Sequence, residues 1–314
     1  MLLFIGIPTE PPVAMAIHAA EKAGIPHVVL DQRTMHFCNL SIGFVNNKLK
    51  ASLQLQDKDY PLEKFSGVYF RMMEYNSMPH TDPQSLQYMG AGNVKKSGLL
   101  HQQLLYWMDI TRLRILNPPW SMGSNMSKPY QAQLIREAGF KIPPTCITTE
   151  KQSLLAFREK HPSLIYKSIS AVRSIVKEFT TADEKMLNKI QYLPTQFQQK
   201  LNGVNIRVHV VGDVLFATRI DSEVTDYRYA GRENKTATLS ATVLPKKIQQ
   251  ACFTLSKQLG LTLCGIDLFL SAGNEYYCFE VNPSPGYSYF QNNSGQDIAG
   301  AIARWLYYGT AKTK

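Results

Sequence analysis

The runs Gly265-Ile266-Asp267-Leu268-Phe269-Leu270 and Glu280-Val281-Asn282-Pro283 decide how this chain is read. The first run alternates and predicts a strand. Ala272-Gly273-Asn274 supplies a turn, and residues 275–281 return as a second strand. Such a hairpin places Asp267 roughly opposite Glu280. Asn282 shares the face of Glu280, because side chains alternate along a strand. Two carboxylates facing each other across a ladder repel. A divalent cation relieves that repulsion. Mg²⁺ takes oxygen ligands, usually one or two carboxylates with phosphate oxygens completing the shell. The competing reading is a solvated hairpin with ordinary surface acids. Ile266, Leu268, Phe269, Phe279 and Val281 are apolar and fit it poorly. Asp267, Glu280 and Asn282 are therefore the candidate metal ligands.

Working outward, 314 residues are many for one core and predict two or three domains. With 44% hydrophobic and 18% charged residues, the composition is that of a folded protein. No apolar run reaches the length of a membrane span. Met1-Leu-Leu-Phe-Ile-Gly-Ile7 lacks a preceding basic residue and is interrupted by prolines, so it reads as a first buried strand and not a signal peptide. Five scattered cysteines form no Cys-x-x-Cys pair, which predicts a reducing, cytoplasmic setting. The net charge of +10 divides as +2, +5 and +3 over residues 1–118, 119–195 and 196–314. A dense basic stripe with interleaved aromatics is missing, which argues against nucleic acid. Diffuse positive charge fits an enzyme handling polyanions such as a nucleotide triphosphate or an acidic peptide, and it also fits no partner in particular. The sequence leaves the oligomeric state open; a homo-oligomer is compatible with it.

Residues 1–118 read as a small α/β unit of strand, helix and strand, with a hairpin over 40–55 and a strand at Gly67–Phe70 ending at Arg71. Residues 119–195 form a second α/β unit, opened by a helix over Lys128–Ala138 that Ser127 can cap. Residues 196–314 are rich in strands, with helices near Lys246–Leu259 and Ile298–Tyr308. Asn117-Pro118-Pro119 and Pro194 mark the boundaries.

Several residues carry chemistry. Lys128 sits at a helix N-terminus, where the macrodipole disfavours a cation and attracts an anion such as phosphate; alone it reads more readily as a solvated surface lysine. Lys167 ends the apolar run Leu164-Ile165-Tyr166, and a lysine leaving a buried strand usually has a partner. The next loop, 168–174, offers hydroxyls and Arg173 to phosphate oxygens, or is a plain hairpin loop. Gln196–Leu201 is a short strand able to offer backbone groups to an adenine edge, though in isolation it reads first as an ordinary strand. Arg207 and His209 share one strand face. Arg207 reads as a salt bridge or a phosphoryl clamp, and His209 as a structural histidine more than a base. The loop 226–232, with Arg228, reads as substrate-facing or as plain surface.

Taken in this order, the elements resemble the ATP-grasp ligases, most closely their RimK-type branch, over Asn117 to about Leu306. The carriers are Asn117-Pro118-Pro119, Ser127-Lys128 with Gln131, and Glu137-Ala-Gly-Phe-Lys-Ile-Pro143 with Thr145. Further along they are Ile165-Tyr166-Lys167, Gln198-Gln199, Arg207–Gly212, Gly265-Ile-Asp267, Glu280–Gly286 and Asp297-Ile-Ala299. The sequence also looks like the branch members that cross-link microviridin-type precursor peptides.

The resemblance implies an α/β (α+β) ATP-grasp fold, with a Rossmann-like pre-ATP-grasp domain and two α+β subdomains clasping ATP. It implies ATP contacts from Lys128, Lys167, Ser170, Arg173, Ser174, Gln198, Gln199, Lys200 and Leu201. It implies two Mg²⁺ ions, with Mn²⁺ as a substitute, on Asp267, Glu280 and Asn282. Arg207 and Arg228 would be catalytic, and Ser284 and Gly286 would face substrate; Arg71, at the end of an N-terminal strand and outside the resemblance, is a further candidate substrate contact. The chain departs from the family's pattern in the glycine-free loop after Lys167 and in Asn205, where many relatives have Asp. The implied reaction is carboxylate activation by ATP through an acyl phosphate, followed by attack of an amine, on an amino acid, peptide or protein. The alternatives are a peptide macrocyclase forming esters or amides, and a nucleotide-binding regulator without catalysis.

Overall fold

The computed structural model describes residues 1–73, 90–169, 176–222 and 237–313, with the side chain of Ser168 excepted. The N-terminal unit begins with β1 (Leu2–Gly6), α1 (Pro11–Lys22) and β2 (His27–Asp31). A meander follows of β3 (Asn39–Val45), β4 (Lys48–Leu55) and β5 (Lys58–Pro61). The unit continues through β6 (Gly67–Arg71), α2 (Ala91–Ile110) and β7 (Arg114–Leu116). Leu2, Leu3, Phe4 and Ile5 are wholly buried, because β1 lies inside a parallel sheet of order β2–β1–β6–β7 and is covered on both faces. The carboxyl ends of these strands carry Arg71 and Asn117. The expected helix over 99–109 is the second half of the longer α2, and β5 carried no clear alternation to announce it.

The central sheet is antiparallel, with order β10–β9–β11–β8, from β8 (Thr145–Thr148), β9 (Leu164–Ser168), β10 (Lys177–Glu178) and β11 (Thr195–Gln199). Helix α4 (Lys151–Lys160) packs on it, and Leu154, Leu164, Leu187 and Phe197 form its small core. The expected boundary at 195/196 falls inside β11, which pairs with β8 and β9. Helix α3 (Lys128–Glu137) does not join this core. Its Ile135 packs with Val208, Ile266 and Val281 of the C-terminal sheet. Ser127 precedes α3 but makes no side-chain cap, contrary to expectation, while Pro129 takes its place in the first turn.

The C-terminal sheet has order β14–β13–β12–β15–β16, from β12 (Gly203–Val211), β13 (Val214–Ser222), β14 (Ala237–Thr242), β15 (Leu263–Ser271) and β16 (Tyr276–Asn282). One face packs on α3 and on α5 (Lys246–Gln258). The other carries Val211, Ile220 and Leu263 toward the N-terminal unit. Between the two sheets lies α7 (Ile298–Tyr308), preceded by α6 (Ser288–Ser294), which the sequence did not announce. Ile298, Ile302 and Leu306 of α7 are fully buried, each stabilising the junction by about 1.5–3 kcal/mol. Arg114 caps the helix by donating to the carbonyls of Leu306 and Tyr307. Gly67 permits the approach, since a Cβ there would sit 2.6 Å from the Leu306 carbonyl oxygen. The N-terminal unit is thereby fixed over the site-bearing face of the C-terminal sheet.

Candidate active site

One row crosses that face. Thr218 of β13, Arg207 of β12, Asp267 of β15 and Glu280 of β16 are successive register partners. The neighbouring row holds Phe216, His209, Gly265 and Asn282. Asp267 and Glu280 do face each other, but a β-bulge brings this about. Leu268 pairs with Cys278, whereas Asp267 pairs with Glu280, leaving Phe279 as the extra residue. Simple alternation from the turn would pair Asp267 with Phe279 and turn Glu280 to the opposite face.

The facing acids are also neutralised differently from the expectation that a cation alone relieves them. Lys128 Nζ lies 2.9 Å from Glu280 Oε2, and Arg207 Nη1 donates to Asp267 Oδ1. Burial pushes the Glu280 carboxyl up, but the charges of Lys128, Lys167 and Arg207 outweigh it and hold the carboxyl below its ordinary value. Lysines and arginine thus surround the acids with an excess of positive charge, as a site for a polyanion requires.

Arg207 is held from three sides. Its guanidinium lies 5.6 Å over the Phe290 ring of α6. It crosses Gly265 so closely that a Cβ there would sit 2.1 Å from Nη2. His209, wholly buried, meets Phe290 edge to face with ring centroids 5.0 Å apart, and neither ring nitrogen has a hydrogen-bond partner among the described residues. Burial, reinforced by Arg207, drops its pKa well below the ordinary value and keeps it neutral. A group that resists protonation beside Arg207 is a wall and not a proton carrier.

Lys167 is buried at the end of β9, opposite Gln196 of β11. Gln198 is buried and donates to Thr145 Oγ1 at 3.0 Å. The backbone N–H groups of Gln199 and Lys200 donate to Pro144 and Ser163, and the Lys200 side chain pairs with Glu178 at 2.7 Å. Leu201 follows as a half-buried connection to β12. This segment therefore bridges the central and C-terminal sheets. Arg71 donates to Ser284 Oγ at 2.8 Å and to the Pro285 carbonyl at 3.1 Å, and pairs with Glu10. Asn282 Oδ1 accepts from Ser284 N at 2.9 Å, and Gly286 faces open space. Ser170, Arg173, Ser174 and Arg228 lie outside the described residues.

The donor set of Asp267, Glu280 and Asn282 is all oxygen, which suits Mg²⁺ and its larger relative Mn²⁺. Among the described residues no cluster of three His, Cys, Asp or Glu forms a metal cage. An ion here would complete its shell from outside the protein, as Mg²⁺ does with phosphates. Sequence reasoning overlooked Glu10 and Phe290 as parts of this region, and it quoted Asn117, Gln131 and Gly265 as motif residues without giving them a role. The spacing of Lys128 and Gln131, three apart on one helix face, was the available signal for Gln131.

The sequence model of the RimK-like ATP-grasp domain matches residues 127–306. A probable alpha-L-glutamate ligase of Vibrio atlanticus is 23% identical over 201 residues, covering 61% of this chain and 66% of the relative. One from Marinobacter nauticus is 27% identical over 135 residues, covering 43% and 42%. The chain thus spans just under two thirds of the length of the first of these relatives. Among solved structures, a Chryseobacterium gregarium RiPP-associated ATP-grasp ligase, in complex with ADP and a leader and core peptide, superposes with a TM-score of 0.79. It is 22% identical and covers 99% of this chain and 98% of that one. The macrocyclase MdnC of Microcystis aeruginosa MRC, bound with precursor peptide MdnA, gives 0.77 at 22% identity, covering 97% and 98%. At that identity these structures establish the fold. No helix among the described residues is long and apolar enough to cross a membrane. With the family's domain spanning more than half of its length, the chain belongs to the RimK-like ATP-grasp family.

Proposed function

We propose that the protein is an ATP-dependent ligase that activates a carboxylate as an acyl phosphate and passes it to an amine. The observation that carries this reading is the row Arg207–Asp267–Glu280, flanked by Lys128 and Lys167. Asp267, Glu280 and Asn282 would hold two Mg²⁺ ions, or Mn²⁺ in their place, and these would neutralise the triphosphate. Lys128 and Lys167 would bind phosphate oxygens, with Lys128 exchanging Glu280 for phosphate. Residues 198–201 would receive the adenine where the two sheets meet. Arg207, fixed between Gly265 and Phe290, would meet the charge that builds on the phosphoryl group in transfer; rigid placement of such a cation lowers the barrier without reorganisation. Arg228, Ser170, Arg173 and Ser174 complete the proposed site from outside the described residues.

The substrate proposed is a peptide, with its own side chains as carboxylate donor and nucleophile. What supports this over free glutamate transfer is that ligases superposing on 97–99% of the chain, N-terminal sheet included, are solved with a leader and core peptide or a precursor peptide bound. Arg71, Ser284 and Gly286 would line the acceptor side, and the reaction would take place in the cytoplasm, where ATP is abundant. The test is incubation with ATP, Mg²⁺ and acidic peptides, followed by ADP measurement and mass spectrometry. Loss of water from one peptide supports cross-linking, and a mass gain of one residue supports ligation to an amino acid. Nucleotide binding with no ADP released under any condition would leave only a regulator.

A further inference from the structure

The register that turns Glu280 toward Asp267 depends on a bulge in β16, the outermost strand of its sheet. A bulged edge strand has one free side and is weakly held in register. Here the free side is occupied on both sides of the extra residue. Before the bulge, Cys278 N donates to the Lys141 carbonyl at 2.9 Å. After it, the side-chain amide of Gln131 takes both backbone groups of Val281. Its Nε2 donates to the Val281 carbonyl at 2.9 Å, and its Oε1 accepts from Val281 N at 2.8 Å. Gln131 thus acts as a one-residue strand. One turn earlier on the same helix face, Lys128 pairs with Glu280.

Beyond Asn282, Asn117 repeats the device. Its Nδ2 donates to the carbonyls of Pro283, at 2.6 Å, and Leu263, and its Oδ1 accepts from Leu263 N at 2.9 Å. Asn117 and Gln131 are each only 2% exposed. A buried amide that meets its full complement of backbone partners is costly to replace, because the partners lose their bonds as well. Val281 and Pro283 are the two chain neighbours of Asn282, and Val281 is also the neighbour of Glu280.

We propose that Gln131 and Asn117 are positioning residues of the metal site, locking the post-bulge register that sets Glu280 and Asn282 on the face of Asp267. The inference rests on the reading that these three residues hold Mg²⁺. The hydrogen bonds of both amides go to backbone groups and not to the three proposed ligand side chains. Both act through the backbone of the ligand strand, as partners behind a ligand do in metal sites.

The test is ADP binding to the full chain by titration calorimetry, with and without Mg²⁺, and the readout is the Mg²⁺-dependent gain in affinity. Gln131→Met keeps length and burial but loses both hydrogen bonds. It is expected to cut the gain about tenfold or more, the range seen for partners behind metal ligands, with metal-free ADP affinity unchanged. Gln131→Asn keeps both amide functions on a side chain one methylene shorter; it is expected to cut the gain less than Gln131→Met, and it serves if the latter does not fold. The comparison variant is Gln32→Met. Gln32 makes the same two-bond amide clamp, on Met73 in the N-terminal unit. It is expected to lose comparable stability and keep the gain. A Gln131 variant that folds and keeps the full gain, or a Gln32 variant that loses as much, overturns the proposal. A wild-type chain with no Mg²⁺-dependent gain would instead sink the metal reading beneath it.

Discussion

Arg71, at the end of β6, donates through Nη1 to Ser284 Oγ at 2.8 Å across 213 residues of sequence. The bond ties the N-terminal sheet to the loop that follows the ligand strand. The same guanidinium takes the Pro285 carbonyl and pairs with Glu10 at 2.9 Å, with only 12% of its side chain exposed. A fork of donors serves three acceptors at once, which the single point charge of a lysine does not do.

Arg71→Met is therefore expected to lower stability by about 1.5–3 kcal/mol and to raise the KM for the acceptor more than the KM for ATP. Arg71→Lys should recover part of the stability through Glu10 and little of the acceptor binding. Urea unfolding and steady-state ADP release measure the two effects. An acceptor KM left unchanged in both variants would remove Arg71 from the substrate region.

Gly265→Ala places a methyl group where the Arg207 guanidinium lies. Either β15 or the arginine must move, at about 1–3 kcal/mol in stability. A displaced phosphoryl clamp should reduce turnover by about a hundredfold with little change in ADP affinity. Full turnover in this variant would show that Arg207 is not required in its present position.

Glu280→Gln keeps the shape of the side chain and removes its charge. ADP formation is expected to fall below detection at saturating Mg²⁺ while the circular dichroism spectrum is unchanged. The wild-type carboxyl carries a sign that can be checked. Its folded pKa is lowered, so it contributes stability above the ordinary carboxylate value of 4.5, and that stability is lost as pH falls through the lowered folded value. The difference in unfolding free energy between wild type and Glu280→Gln should therefore be constant above about pH 4.5 and shrink as pH falls from there through the lowered folded value.

His209 also costs stability in acid, but through burial of a ring unpaired among the described residues and not through a charged partner. Buried and neutral, it has a folded pKa well below the ordinary 6.5, whereas the unfolded histidine takes up a proton near that value. Its stability contribution is present above pH 6.5 and lost as pH falls below it. His209→Phe keeps a ring against Phe290 and should flatten the fall in stability between about pH 6.5 and 5. Urea midpoints at the two ends of that range decide the matter. An unchanged slope would mean that the ring is hydrated or paired in solution.

Lys167→Ala is expected to weaken ATP and ADP binding about tenfold, with fold and Tm nearly intact, because its charge acts on Glu280 in the proposed phosphate site. Equal affinity in wild type and variant would remove Lys167 from the nucleotide site.

Local pattern made much of this legible in advance. The apolar run of β1, the turn at residues 272–274 and the alternation of β12 each report their own backbone conformation. The strands and helices around the site accordingly stand close to their expected places. Short elements were less legible: β5, β14 and α6 have too few residues for a period to declare itself. Lys128 was read as a phosphate contact, but its partner here is Glu280, 152 residues away, a distance in sequence that no local pattern reports.

The sequence by itself determined that a hairpin with two acids lies near the C-terminal end, that an arginine and two lysines accompany it, and that the chain is an ATP-grasp protein. Tertiary structure alone decided that the acids share a face. An extra residue at Phe279 breaks the two-residue period on which every sequence argument about strands relies. Buried amides from Gln131 and Asn117, distant in the chain, cover the edge groups that the break exposes. The physical reason is that alternation is a local property of the backbone, whereas register is set by whichever partners satisfy its hydrogen bonds.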